Sequence, residues 1–75
     1  MTADHILDAR GLLCPLPVLK LRKRLKSLEA GQVLELWADD PAAEIDVPHF
    51  CTEAGHEYLG MSENDGYAAY RVRNK

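Results

Sequence analysis

Apolar residues recur along the chain in two rhythms. Val18, Leu21, Leu25 and Leu28 are spaced by three, four and three, which lines one face of a helix. Shorter runs have the length of strands. Ile6 and Leu7 predict a first strand over roughly residues 4–9. Val33, Leu34, Leu36 and Trp37 predict a second over 32–38. His56 to Met61 and Tyr67 to Arg73 read as a third and fourth, joined by the hairpin signal Asn64-Asp65-Gly66. Gly11 supplies a turn after the first strand, and Gly31 is a stop for the helix. Asp39-Asp40-Pro41 reads as a cap followed by a proline in a first helical turn. Pro48 should break a continuous helix there, so the expectation is a short turn over 41–45 and a helix over about 47–54, ended by Gly55.

The predicted order is βαβαββ. A strand, a helix and a strand in succession imply a right-handed crossover between parallel strands. The hairpin makes the last two strands antiparallel. The fold class is therefore α/β (α+β): a two-layer sandwich, with two main helices on one face of a four-stranded mixed sheet.

Size narrows the function. A chain of 75 residues reads as one domain, 1–75, and buries only about 60% of the surface its unfolded form exposes. Carriers, adaptors and binding modules fit that size better than an enzyme with a deep cavity. The formal net charge of -3 argues against strong nucleic-acid binding. The charges are nonetheless segregated. Lys20, Arg22, Lys23, Arg24 and Lys26 fall within seven positions, whereas Glu35 to Glu57 holds seven acids and no Lys or Arg. The basic run is either one solvated helix face or a docking surface for an acidic protein or RNA. Met1 to His5 is polar, and no run approaches the ~20 apolar residues of a membrane span. The expected location is the cytoplasm, with no membrane partner, where thiols are normally reduced.

The chemistry concentrates at Cys14. In Cys14-Pro15-Leu16-Pro17, Pro15 fits the first helical position, which would put Cys14 at the N-cap. The helix dipole there contributes ~0.3–1 kcal/mol toward the thiolate. A moderately nucleophilic thiol is expected, with Arg10 adding to the effect if it lies nearby. Such a thiol suits a group that must both accept and release a cargo, because nucleophilicity falls as pKa falls. A capping cysteine in a rigid turn is the structural alternative.

The run Leu7-Asp8-Ala9-Arg10-Gly11-Leu12-Leu13-Cys14-Pro15-Leu16-Pro17 resembles the signature of the TusA/SirA family, whose core is CPxP. The likeness continues in Asp39-Asp40-Pro41-Ala42, Asp46-Val47-Pro48, Phe50-Cys51 and Gly55-His56-Glu57, and covers roughly residues 6–73. The resemblance implies a small sulfur carrier with no cofactor beyond its covalent sulfur. Cys14 would accept sulfane sulfur as a persulfide from a cysteine desulfurase or a rhodanese. It would pass that sulfur to an acceptor protein, often of the DsrE type, for tRNA 2-thiolation, molybdenum cofactor assembly or sulfur oxidation. By position, Pro15 and Pro17 would shape the helix start, and Arg10 and Gly11 the approach loop. Leu16 stands where some members carry an acid, and leaves an apolar spot beside the sulfur. Lys20, Lys23 and Lys26 would meet an acidic donor surface.

Other residues carry weaker signals. Cys51 beside Phe50 reads as a small buried residue, with a resolving cysteine as the alternative. No metal is expected, since His49, Cys51 and His56 fit no usual ligand spacing. Trp37 reads as core, His5 as surface, and Asp39 and Asp40 as a cap. Two further functions stay open: a non-catalytic module binding protein or RNA, and a redox protein using Cys14 with Cys51.

Overall fold

A computed structural model describes residues 3–75. Its elements run β1 His5–Asp8, α1 Leu16–Leu25, β2 Val33–Ala38, α2 Ala43–Ala54, β3 Glu57–Asn64 and β4 Tyr67–Arg73. The predicted βαβαββ order and two-layer architecture are what the chain adopts. The sheet order is β1-β2-β4-β3. β1 lies parallel to β2, with Leu7 opposite Leu36, and β4 pairs antiparallel with both β2 and β3. The crossover helix returns the chain to a parallel neighbour. The hairpin then inserts its second strand beside β2, in the middle of the sheet.

Strand alternation decides which face is covered. Leu34 and Leu36 of β2, Tyr70 and Val72 of β4, and Leu7 of β1 face the helices. Against them pack Leu21 and Leu25 from α1, and Val47, Phe50 and Cys51 from α2. Leu21, Leu34, Leu36, Val47 and Val72 are wholly buried. The opposite face carries Ile6, Glu35, Trp37, Tyr67 and Arg71, and no helix covers it. Leu59 is an extra residue in β3, since Tyr58 pairs with Val72 and Gly60 with Arg71.

Helix boundaries depart from the sequence reading in three places. First, α1 starts at Leu16 with Pro15 as its N-cap, so Cys14 lies one residue outside the cap. The first bond of the helix runs from the Leu19 N–H to the Pro15 carbonyl at 3.1 Å. Second, α1 ends at Leu25, well before Gly31. Ser27 and Leu28 donate back three residues at 3.1 Å each, and the Ser27 hydroxyl donates to the Arg24 carbonyl at 2.8 Å. Asn74 pins the following loop, donating to the Leu28 carbonyl at 2.9 Å.

Third, Pro48 does not break α2. The ring removes only the bond to the Glu44 carbonyl, which lies on the exposed side one turn from the helix start. Ala43, Val47, Phe50 and Cys51 bury one continuous face on both sides of the proline. That packing outweighs the single lost bond. Gly55 closes the helix in the left-handed conformation, φ 80°, as expected.

Candidate functional site

The site is built where the loop after β1 meets the loop after β2. Both loops leave the same ends of parallel strands, as the crossover requires. The loop Ala9–Cys14 has few internal bonds of its own. It is held instead by the acids that follow β2. Both Asp39 oxygens accept the Gly11 N–H, at 3.0 and 2.9 Å. Asp40 Oδ2 accepts the Cys14 N–H at 2.6 Å, while Oδ1 accepts the Ala42 N–H at 3.1 Å. These backbone bonds hold the Asp40 carboxyl below the usual carboxylate range, with the Cys14 bond contributing most. Gly11 turns the loop with φ 83°, a conformation costly for any side chain. Leu12 tucks against the core, and the Cys14–Pro15 peptide is cis.

Cys14 is exposed and free, whereas Cys51 is buried among core residues. Burial pushes the Cys51 thiol up to about 11. The Cys14 thiol donates to Asp46 Oδ2 at 2.9 Å. That hydrogen bond, slight desolvation, and then the charges of Asp46 and Asp40 raise the Cys14 thiol above its ordinary value. These contacts oppose the thiolate that the start of α1 was expected to favour. Cys14 lies outside the cap, and two carboxylates face it.

Arg10 does not supply a compensating charge. Its guanidinium makes two bonds to Asp8, at 2.9 and 2.8 Å, and lies 5.1 Å from the ring centres of both Trp37 and Tyr67. The Asp8 carboxyl is held down at about 2 by these bonds. Arg10 therefore lies over the uncovered sheet face. Trp37, expected in the core, is half-buried on that same face and donates its indole N–H to Glu35 at 2.7 Å.

Beside the thiol, a cleft of about 450 Å³ opens between α1 and α2. Pro15, Val18 and Phe50 give it an apolar lining, and Arg22, Asp46 and His49 polar edges. The Arg22 guanidinium lies 5.7 Å from the Phe50 ring centre, and His49 pairs with Glu53 at 2.7 Å. The lysines expected to meet a donor lie elsewhere. Lys20 and Lys23 border a separate groove with Leu7 and Arg24, and Lys26 lies past the end of α1 near His56 and Asn74. Leu16 is 47% exposed and Leu13 70%, so the thiol has apolar neighbours along the chain. Pro17 is buried.

Asp46 and Arg22 were not singled out for the site. Asp46 lies in the first turn of α2, ahead of the helix expected over 47–54. Among the described residues, no group of three or more His, Cys, Asp or Glu is arranged to hold a metal ion. No helix there is long and apolar enough to cross a membrane.

Known proteins are similar to this chain in sequence and in fold. Residues 5–74 match the family described as Sulfurtransferase TusA. The chain is 47% identical over 72 residues to the Sulfur carrier protein TusA of Pseudomonas entomophila, covering 96% of this chain and 90% of that one. It is 45% identical over 74 residues to the protein of the same name from Pseudomonas putida, covering 99% and 92%. Among solved structures, a SirA-like protein from Desulfitobacterium hafniense superposes with a TM-score of 0.75 at 28% identity, covering 92% of this chain and 95% of that one.

Proposed function

The chain belongs to the TusA family of sulfur carrier proteins, and from that membership we propose that Cys14 bears the sulfur as a persulfide. One observation carries the assignment: of the two thiols, only Cys14 is open to a partner, and it borders a cleft, while Cys51 is sealed in the core. The same contrast weighs against the redox reading, because a buried Cys51 cannot resolve a bond at the surface without local unfolding.

The exchange is balanced within the two proteins. The Cys14 sulfur attacks the outer sulfur of a donor persulfide, the donor's S–S bond breaks, and the donor cysteine leaves with the electron pair and takes up a proton. Cys14 becomes Cys14–S–SH. Handing on repeats the step with an acceptor thiolate. The donor is a cysteine desulfurase or a rhodanese, and the acceptor a protein of the DsrE type or another acceptor protein, in the cytoplasm. The sulfur's destinations are tRNA 2-thiolation, molybdenum cofactor assembly or sulfur oxidation. Because Asp46 holds the empty thiol protonated, loading needs the partner to displace that hydrogen bond on docking. Exposed Leu13 and Leu16 and the cleft-lining Arg22 give the partner an apolar and a basic contact.

The test is intact-mass spectrometry after incubation with a cysteine desulfurase and cysteine. A gain of one sulfur mass, absent in Cys14→Ser and reversed by a reductant, establishes the assignment. Loading that persists in Cys14→Ser overturns it. No loading from either a desulfurase or a rhodanese persulfide would favour a non-catalytic binding module.

A further inference from the structure

Asp46 reaches the thiol from the first turn of α2. Among the described residues it forms no ion pair. The charged groups around Cys14 come from three elements: Asp40 on the loop after β2, Arg22 on α1, and His49 and Glu53 on α2. His49 is engaged with Glu53, and Arg22 lies over Phe50. The carboxylate of Asp46 therefore has the Cys14 sulfur as its side-chain partner.

Resting on the carrier assignment above, we propose that Asp46 makes the carrier give up its sulfur: it accepts a hydrogen bond from the empty thiol and repels the anion of the loaded persulfide. The empty state gains a bond to a charged acceptor. The loaded state loses the bond from Sγ, which now carries the outer sulfur instead of a proton. A persulfide is a stronger acid than its parent thiol, so at neutral pH its outer sulfur tends toward the anion. A carboxylate within reach opposes that ionisation. Two consequences reinforce each other. Sulfur is held less tightly on Cys14, and the outer sulfur is kept as S–SH, the form a thiolate can attack.

In the hand-off, the acceptor thiolate attacks the outer sulfur and forms the new S–S bond. The old S–S bond breaks, and its electron pair stays on Cys14 Sγ. Cys14 takes a proton from water and returns to Asp46, while the acceptor persulfide releases its own proton. The sulfane sulfur keeps its oxidation state, and no proton is consumed overall. Cys14 is the residue that carries; Asp46 acts through it, as a positioning residue.

The test compares wild type, Asp46→Asn and Asp46→Glu. Each is equilibrated with glutathione persulfide and glutathione at neutral pH, and the ratio of loaded to empty protein is read by intact mass. Removing the charge should raise that ratio about tenfold, the scale of a single pK unit, whereas Asp46→Glu should stay near wild type. A second reading needs no sulfur cargo: the pH midpoint of Cys14 alkylation should fall in Asp46→Asn. Equal ratios in wild type and Asp46→Asn overturn the proposal and leave the carrier assignment standing. So does an unmoved alkylation midpoint, or an Asp46→Glu ratio as high as that of Asp46→Asn. If the wild type itself takes no sulfur from either glutathione persulfide or a desulfurase, the carrier assignment falls and the proposal falls with it.

Discussion

The backbone N–H of Cys14 donates to the Asp40 carboxylate across 2.6 Å, a bond between residues 26 positions apart in the chain. The same carboxylate caps the entry to α2 through Ala42. A single side chain thus fixes the thiol's loop to the helix that supplies Asp46. Asp40→Ala frees both backbone groups and lets the thiol wander. Displacement of a reacting atom by about 1 Å can cost as much as 100-fold in rate. Single-turnover loading of Asp40→Ala should therefore slow by at least about tenfold, and a wild-type rate would show that the anchor is dispensable.

Acid should loosen this loop late. Asp8 is held at about 2, against an ordinary 3.8, and Asp40 is also lowered. A carboxyl whose folded value is depressed adds stability above its unfolded value, and that stability is lost as pH falls through the folded one. The Asp8 contribution is therefore complete above about pH 4 and gone below about 2. Asp8→Asn should flatten the acid limb of stability against pH, followed by circular dichroism. An unchanged limb would mean the Asp8–Arg10 pair is energetically silent.

The two thiols should separate cleanly under alkylation. Native protein labels at Cys14 alone, and Cys51 becomes reactive only in denaturant. Cys51→Ser puts a hydroxyl into an apolar core and should cost about 1–3 kcal/mol. The buried Cys51 thiol, raised to about 11, also favours the fold below pH 9 relative to above it. The unfolded chain ionises first, so this stability drains away between about pH 9 and 11. Cys51→Ala should lack that alkaline loss in urea titrations at paired pH values. Equal losses in both proteins would assign it to other groups.

Pro48→Ala restores a donor for the Glu44 carbonyl. A proline inside a helix costs about 3 kcal/mol against alanine, partly offset by the ~0.4–1 kcal/mol that proline saves in the unfolded chain. A net gain of about 2 kcal/mol or slightly more is expected from denaturant unfolding. A loss would show that the ring's own packing matters more than the missing bond.

Partner docking can be mapped by reversing charge. Arg22 borders the thiol cleft, while Lys20 and Lys23 lie on another groove. If the donor covers the cleft, Arg22→Glu slows loading at low salt by about tenfold and lowers its salt dependence. Lys20→Glu and Lys23→Glu then act more weakly. A stronger effect at the lysines would place the donor along the outer face of α1 instead.

Periodicity was enough to read both layers of the fold, because each amphipathic element has only one face to bury. Leu21 and Leu25 went to the core as their spacing required, and the parallel pairing of β1 with β2 followed from the helix between them. The site was legible at Cys14, through the two prolines around Leu16. Its electrostatics were not. Pro48 read as a break, yet one lost hydrogen bond is small beside the apolar face that α2 buries on both sides of it. That misreading also left Asp46 outside the expected helix, whereas it lies in the first turn of α2 beside the sulfur. The cap reading of Asp39 and Asp40 holds only for Asp40, which accepts the Ala42 N–H; local sequence carries no sign that its second oxygen reaches Cys14 or that both Asp39 oxygens go to Gly11. Arg10 was drawn the other way by Asp8, two residues earlier, and by two aromatic rings from distant strands.

The stacking of Arg10 on Trp37 gives the molecule an optical readout of its own. Trp37 is the chain's sole tryptophan, and the guanidinium above it belongs to the loop that leads to the sulfur. When a partner grips that loop, or cargo on Cys14 shifts it, the cation moves relative to the indole. Emission from Trp37 would then follow loading and unloading without any attached label, turning an exposed cation contact on the far side of the sheet into a signal for events at the thiol.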